Sequence, residues 1–255
     1  FLPNENIFLA AFVVAAVLCI TLALIFRMIR LGHYELSTEA GEKLEKTDEN
    51  VWMEYPRPQM KREHWMSLNG MWKLDGDEIR VPFPPQSQLS NYGKKVKDIF
   101  TYEKKFVLSE NMKGERILLH FGAVDQIAEV ILNGKSLGTH EGGYLEFSFD
   151  VTDCIKRVGE NILQVKVTDT LSLDYPYGKQ CKKRGGMWYT PVSGIWKSVW
   201  LEAVADKYIE RIRMTPDLTG VNLEVFGDVQ GFCVCIKLPG GGVLEKAFTG
   251  NAGRL

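Results

Sequence analysis

Apolar side chains recur along this chain in two different rhythms. The first is a continuous run, IFLAAFVVAAVLCITLALIF at residues 7–26, with no charge and a single hydroxyl at Thr21. At helical rise it covers about 30 Å, the thickness of a bilayer's hydrocarbon core, so the run predicts a transmembrane helix. No basic stretch precedes it and no small-residue cleavage site follows, which argues against a cleaved signal peptide. Residues 31–51, LGHYELSTEAGEKLEKTDENV, are polar and charge-rich and predict a tether, with a helical turn or two around 38–46. From Trp52 the rhythm changes to runs of four to nine residues rich in β-branched and aromatic side chains, at 100–108, 116–121, 127–132, 144–151 and 161–167. Asn69-Gly70 and Asn133-Gly134 mark tight turns, and Pro82, Pro84 and Pro85, which cannot donate to a sheet ladder, mark an irregular loop. No window in this region keeps a 3.6-residue period. The pattern predicts an all-β sandwich over residues 52–205. Past Lys207 the segments YIERIRMTP, VNLEVFG and FCVCIKL predict three more strands and a second unit at 207–255.

The densest aromatic stretch is GMWYTPVSGIWKSVWLE, residues 186–202. It reads as a turn followed by a half-buried strand over 195–201, with Trp196, Ser198 and Trp200 on one face and Lys197 and Val199 on the other. Two readings stand side by side. Trp196 and Trp200 suit a buried core, whereas Trp188 and Tyr189, beside the strand's end, offer flat faces of the kind that meet the apolar side of a sugar ring.

Composition narrows the chemistry by exclusion. The 255 residues carry 31 Lys and Arg against 32 Asp and Glu, a net charge of -1, so no electrostatic footprint points to nucleic acid. Five cysteines show no framework spacing, and Cys233 and Cys235, two apart on one strand, are poorly placed to bond each other. Histidines at 33, 64, 120 and 140 have no carboxylate or cysteine at ligand spacing, so neither a metal nor any other cofactor is expected. Glu141 and Glu146 flank Gly142-Gly143-Tyr144, but a solvated surface explains them better than a catalytic pair. No catalytic residue is assigned. Arg27 and Arg30 follow the apolar run while only Glu5 precedes it, and the positive-inside rule then sets the following domain on the cytoplasmic side of a membrane.

Three segments in order carry a resemblance: YPRPQMKREHWMSLNGMWKL (55–74), RILLHFGAVDQIAEVILNGKSLGTHEGGYLEFSFDVTDCIKRVGENILQVKV (116–167) and the aromatic stretch above. Together they resemble the N-terminal sugar-binding domain of glycoside hydrolase family 2, which includes β-galactosidases, β-glucuronidases and β-mannosidases. The resemblance implies a galactose-binding-like jelly roll at 52–205 and the start of an immunoglobulin-like sandwich at 207–255, a fold that takes about 100 residues when whole. It implies a retaining glycosidase whose two catalytic glutamates lie on a barrel beyond this chain, so the chain is expected to be a non-catalytic fragment whose partners are a carbohydrate, the missing barrel and, through the apolar helix, a membrane. It also implies that the loop 171–186 reaches toward the substrate, with Asp174, Lys179, Gln180, Trp188 and Tyr189 as the binding set. Gly185-Gly186 stand where some β-galactosidases have an acidic residue before the Met-Trp pair, a departure that sets the galactose-type contact in question. Lys179, Lys182, Lys183 and Arg184 either favour an acidic sugar or form a solvated basic loop. A stand-alone carbohydrate-binding or structural module is the competing reading.

Overall fold

The computed structural model describes residues 5–31, 38–45, 51–182 and 187–255. Residues 1–46 and 47–255 form two compact units. In the first, helix α1 runs Glu5–Leu31 and α2 Glu39–Glu45, the latter opened by Thr38, whose hydroxyl accepts from the Gly41 N–H at 3.0 Å, and braced by Lys43 on Glu39 at 2.9 Å. Among the described residues no helix is long and apolar enough to cross a membrane. That corrects the expected transmembrane helix at 7–26, the membrane partner and the cytoplasmic-side localisation. Most of the expected tether, at 32–37 and 46–50, lies outside the described residues.

The second unit is almost entirely β. Its strands are β1 Trp65–Ser67, β2 Gly70–Leu74, β3 Asp77–Val81, β4 Ile99–Val107, β5 Arg116–Phe121, β6 Val124–Asp125, β7 Ile127–Leu132, β8 Lys135–Glu141, β9 Phe147–Asp150, β10 Glu160–Thr168, β11 Gly194–Ile195 and β12 Val199–Val204. They form a six-stranded sheet, β3-β2-β4-β10-β7-β8, a four-stranded sheet, β1-β12-β5-β9, and the short pair β11-β6, with every pairing antiparallel. The alternation read from the sequence is the alternation of the fold. In β10, Asn161, Leu163, Val165 and Val167 point inward, and in β4 the inward residues are Phe100, Tyr102 and Phe106. One continuous core joins Trp72, Phe100 and Tyr102 of the larger sheet to Ile117, Leu119, Phe121 and Leu201 of the smaller. Edge-on ring contacts run Trp72–Tyr102–Phe100, at 6.3 and 5.8 Å.

Three local expectations change. The hairpin turn is Asp75-Gly76, both with positive φ, between Leu74 and its partner Asp77; Asn69-Gly70 is no hairpin. Asn69 is buried instead, its side-chain amide donating to Val51 O, Trp52 O and Ser198 Oγ and its carbonyl accepting from Val199 N at 3.0 Å. The strand expected at 195–201 is broken at 196–198, because 194–195 pair with β6 and 199–204 with β5. Trp196 is consequently half-buried, with the Lys197 ammonium 4.7 Å above its ring, whereas Trp200 is 2% exposed. Tyr144 lies in the loop before β9 and not in a strand.

Beyond the sandwich come β13 Arg211–Pro216, β14 Val221–Phe226, β15 Gly231–Lys237, β16 Val243–Thr249 and β17 Ala252–Arg254, as a three-stranded sheet β13-β14-β17 and a hairpin β15-β16. The last two strands carry no pattern that the sequence made visible. Cys19, Cys154, Cys233 and Cys235 are free thiols.

Candidate functional site

At one end of the sandwich the loop after β10 crosses to β11 and forms a strap over a buried acidic pair. Asp125, 7% exposed, ends the short β6, and Gly143 passes so close that a Cβ there would sit 2.2 Å from the Asp125 carboxylate. Only a glycine leaves room for that carboxylate. Burial, reinforced by the negative charge of Asp169, pushes the Asp125 carboxyl up to about 7. Asp169, just after β10, is raised by burial in the same way; one of its oxygens accepts from Leu171 N at 2.9 Å and the other is buried without a hydrogen-bond partner. Tyr144 stands over the pair, its phenol raised by burial and then by Asp125 and Asp169. Its hydroxyl meets the strap at Gly178, where a Cβ would lie 2.9 Å away, and its ring sits edge-on to Trp196 at 6.2 Å. Trp196 in turn donates from Nε1 to Gly143 O at 2.8 Å, tying the loop before β9 to the turn before β12.

Backbone bonds shape the strap. Tyr189 N donates to Lys179 O at 2.9 Å, Gln180 and Tyr189 form a parallel bridge, and Gln180 Oε1 accepts from Val192 N at 2.6 Å. Gly194 then turns the chain with φ 74°, a Cβ there falling 2.4 Å from the Tyr102 hydroxyl. Lys182 anchors the strap to Asp98 at 2.9 Å.

Four of the five residues expected to bind sugar are thereby brought together: Lys179, Gln180, Trp188 and Tyr189. Trp188 is 39% exposed and tilted against Tyr177 with ring centroids 6.2 Å apart, and Tyr189 is exposed beside it. The fifth, Asp174, is exposed and makes its hydrogen bonds with Ser172, at 2.7 and 3.1 Å. Lys183, Arg184, Gly185 and Gly186 lie outside the described residues. Asp125, Tyr144 and Asp169 are the residues that sequence reasoning missed. The signal was the charged Asp125 within the apolar run FGAVDQIAEV, a polar group in the short β6, both of whose residues are buried.

Against this geometry the comparisons with known proteins are specific. A family model described as the glycosyl hydrolase 2 galactose-binding domain-like family matches residues 82–195, which span the acidic pair and the strap. These residues are a galactose-binding-like domain of glycosyl hydrolase family 2. The family 2 domain is similar to a β-galactosidase of Thermoanaerobacter pseudethanolicus, 31% identical over 158 residues that cover 59% of this chain and 21% of that protein. It is also similar to a β-glucuronidase of Bacteroides fragilis, 33% identical over 117 residues covering 42% and 17%. Among solved structures, the Lactobacillus rhamnosus β-glucuronidase superposes with a TM-score of 0.62 at 25% identity, covering 78% of this chain and 39% of that one. The chain therefore spans about a fifth of the length of the curated relatives it matches. Among the described residues no group of three or more His, Cys, Asp or Glu could hold a metal ion.

Proposed function

We propose that this chain is the sugar-binding N-terminal region of a longer retaining glycoside hydrolase that cleaves β-linked sugars. In this reading residues 52–205 are the jelly-roll binding domain, 207–255 begin an immunoglobulin-like sandwich, and the catalytic barrel is a partner supplied by the rest of the protein. The observation that carries it is the strap: it bears exposed Trp188 and Tyr189 and starts beside the buried Asp169 of an acidic pair, in a domain whose relatives are glycosidases. Exposed rings can take the apolar face of a pyranose, while Gln180, Asp174 and Lys179 supply polar groups for its hydroxyls. A retaining mechanism needs an acid/base and a nucleophile about 5–5.5 Å apart and open to substrate. Asp125 and Asp169 are each buried to 7% exposure, so they orient the rim and do not perform the chemistry.

Hydrolysis of chromogenic β-galactosides and β-glucuronides by the longer protein and by this 255-residue chain tests the reading. The longer protein should turn one of them over, with kcat/KM reduced about tenfold or more by Trp188→Ala, and this chain should turn over neither. Turnover by the chain alone would place the chemistry here and sink the proposal, and so would a longer protein inactive on every β-glycoside.

A further inference from the structure

Trp52 stands at the lip of a cleft of about 610 Å³ on the sandwich, 53% exposed, with a backbone φ of 52°. The left-handed region is a genuine outlier for so bulky a residue, and such strain persists only where surrounding structure over-determines it. Here that structure is Asn69. Its buried amide donates to the carbonyls of Val51 and Trp52, at 3.3 and 3.1 Å, and is itself locked by Ser198 and Val199. The Trp52 ring leans on Phe83 with centroids 5.7 Å apart. A buried side chain and a strained backbone thus hold a large aromatic ring out toward water, the reverse of what burial alone would select.

Across the cleft Tyr144 is 41% exposed, and Glu54, Glu146 and Lys197 also line it, all three exposed. Two exposed aromatic rings lining one cleft together with charged hydrogen-bonding groups match a ligand with apolar faces and a hydroxyl edge. Two carboxylates against one ammonium disfavour an acidic ligand. We propose that the Trp52–Tyr144 cleft binds a neutral pyranose oligosaccharide, with Trp52 as a stacking platform and Glu54, Glu146 and Lys197 as hydroxyl partners. The cleft shares Tyr144 with the site described above but none of the strap residues 171–189, and it goes beyond the function proposed above.

The test is calorimetric titration of the full 255-residue chain with cellotriose and β-1,4-galactotriose, and with glucuronic acid as the acidic comparison. One of the trisaccharides should bind. Trp52→Ala should weaken it about tenfold, the scale of a lost ring contact with its buried area, while Trp52→Phe retains most of it. The exposed double variant Glu54→Gln/Glu146→Gln should weaken it several-fold without changing the melting temperature. Trisaccharide binding lost in Trp188→Ala and kept in Trp52→Ala would place the sugar at the strap and overturn this proposal, so a failure of the strap reading and of this one are told apart. Equal affinity of wild type and Trp52→Ala would overturn the proposal. So would tighter binding of glucuronic acid than of either trisaccharide, or no trisaccharide binding at 20 mM, an outcome that would leave the ring to a protein contact.

Discussion

A single carboxylate shows how far residue chemistry departs from residue type. Glu202 is 0% exposed and accepts from Arg62 Nε at 3.0 Å, Trp200 Nε1 at 2.9 Å and the Tyr55 hydroxyl, with Arg57 at 3.9 Å and His120 Nε2 at 3.6 Å. Burial by itself would raise its pKa, but His120, the Tyr55 and Trp200 hydrogen bonds and Arg57 outweigh it and hold the carboxyl below its ordinary value. Glu202→Gln should cost about 3–5 kcal/mol in chemical denaturation, because two arginines lose the charge that compensates them; a loss under 1 kcal/mol would contradict the buried cluster. His120 is stacked on Trp200 at 4.9 Å and is pushed by burial down to about 4. Unfolded, it takes its proton near 6.5, so its contribution to stability is whole above that pH and is lost as pH falls toward 4. Asp125 has the opposite sign. Its folded pKa of about 7 exceeds the unfolded value near 3.9, so the folded state binds the extra proton and stability falls as pH rises from about 4 to 7. Asp125→Asn should therefore raise the melting temperature more at pH 8 than at pH 5, and equal effects at both pH values would refute the shift. None of this was legible in sequence. His120 sits in LLHF as one strand residue among others, and Glu202 becomes exceptional only because residues 55–62 fold over it.

At the scale of elements the sequence was a better guide, for reasons that also explain its failures. Strand alternation found β4, β5, β7 and β10 to within a residue or two, since each has one face on the core and the period is set by the pleat. β8, with Gly138 and the sequence KSLGTHE, has no apolar rhythm and is held by pairing with β7 alone, so its own residues could not announce it. The break at 196–198 was hidden for a different reason. Alternation treats 195–201 as one strand, whereas 194–195 and 199–204 find separate partners. The two tryptophans then diverge in environment, and their substitutions should diverge too. Trp200→Ala should cost about 3–5 kcal/mol. Trp196→Ala should cost less than half of that, removing mainly the hydrogen bond to Gly143 and the contact with Tyr144. Equal costs in parallel melts would restore the unbroken strand.

The whole of the second unit is joined by arginines. Arg62 donates to Ile209 O and Arg57 to Glu210 O, while Arg62 and Arg116 lie over the Tyr208 ring, each with its charge 5.7 Å from the centroid. These contacts grip the chain as it leaves the sandwich for β13. Arg62→Ala should expose residues 205–210 to limited proteolysis several-fold faster than in wild type, and an unchanged cleavage rate would assign that grip elsewhere. Past the junction, Leu238, Val243 and Leu244 are at least half exposed on the β15-β16 hairpin, whose strands pair with no further strand among the described residues. Exposed apolar edges of this kind associate. Val243→Lys/Leu244→Lys should lower self-association at high concentration in sedimentation, and association insensitive to it would point to another surface.

The pairing of β1 with β12 has a consequence for synthesis. Trp65 lies opposite Glu202, so the first strand of the sandwich finds its neighbour only when the last has been made. At about 5–20 residues per second a ribosome needs roughly 7–27 s to travel between them. Through that interval Met66, partly buried against the core, and the inner face of β5, buried in the finished fold, wait without the strand that closes over them. Birth order thus makes the cell, and whatever shields nascent chains in it, a participant in how this sandwich closes.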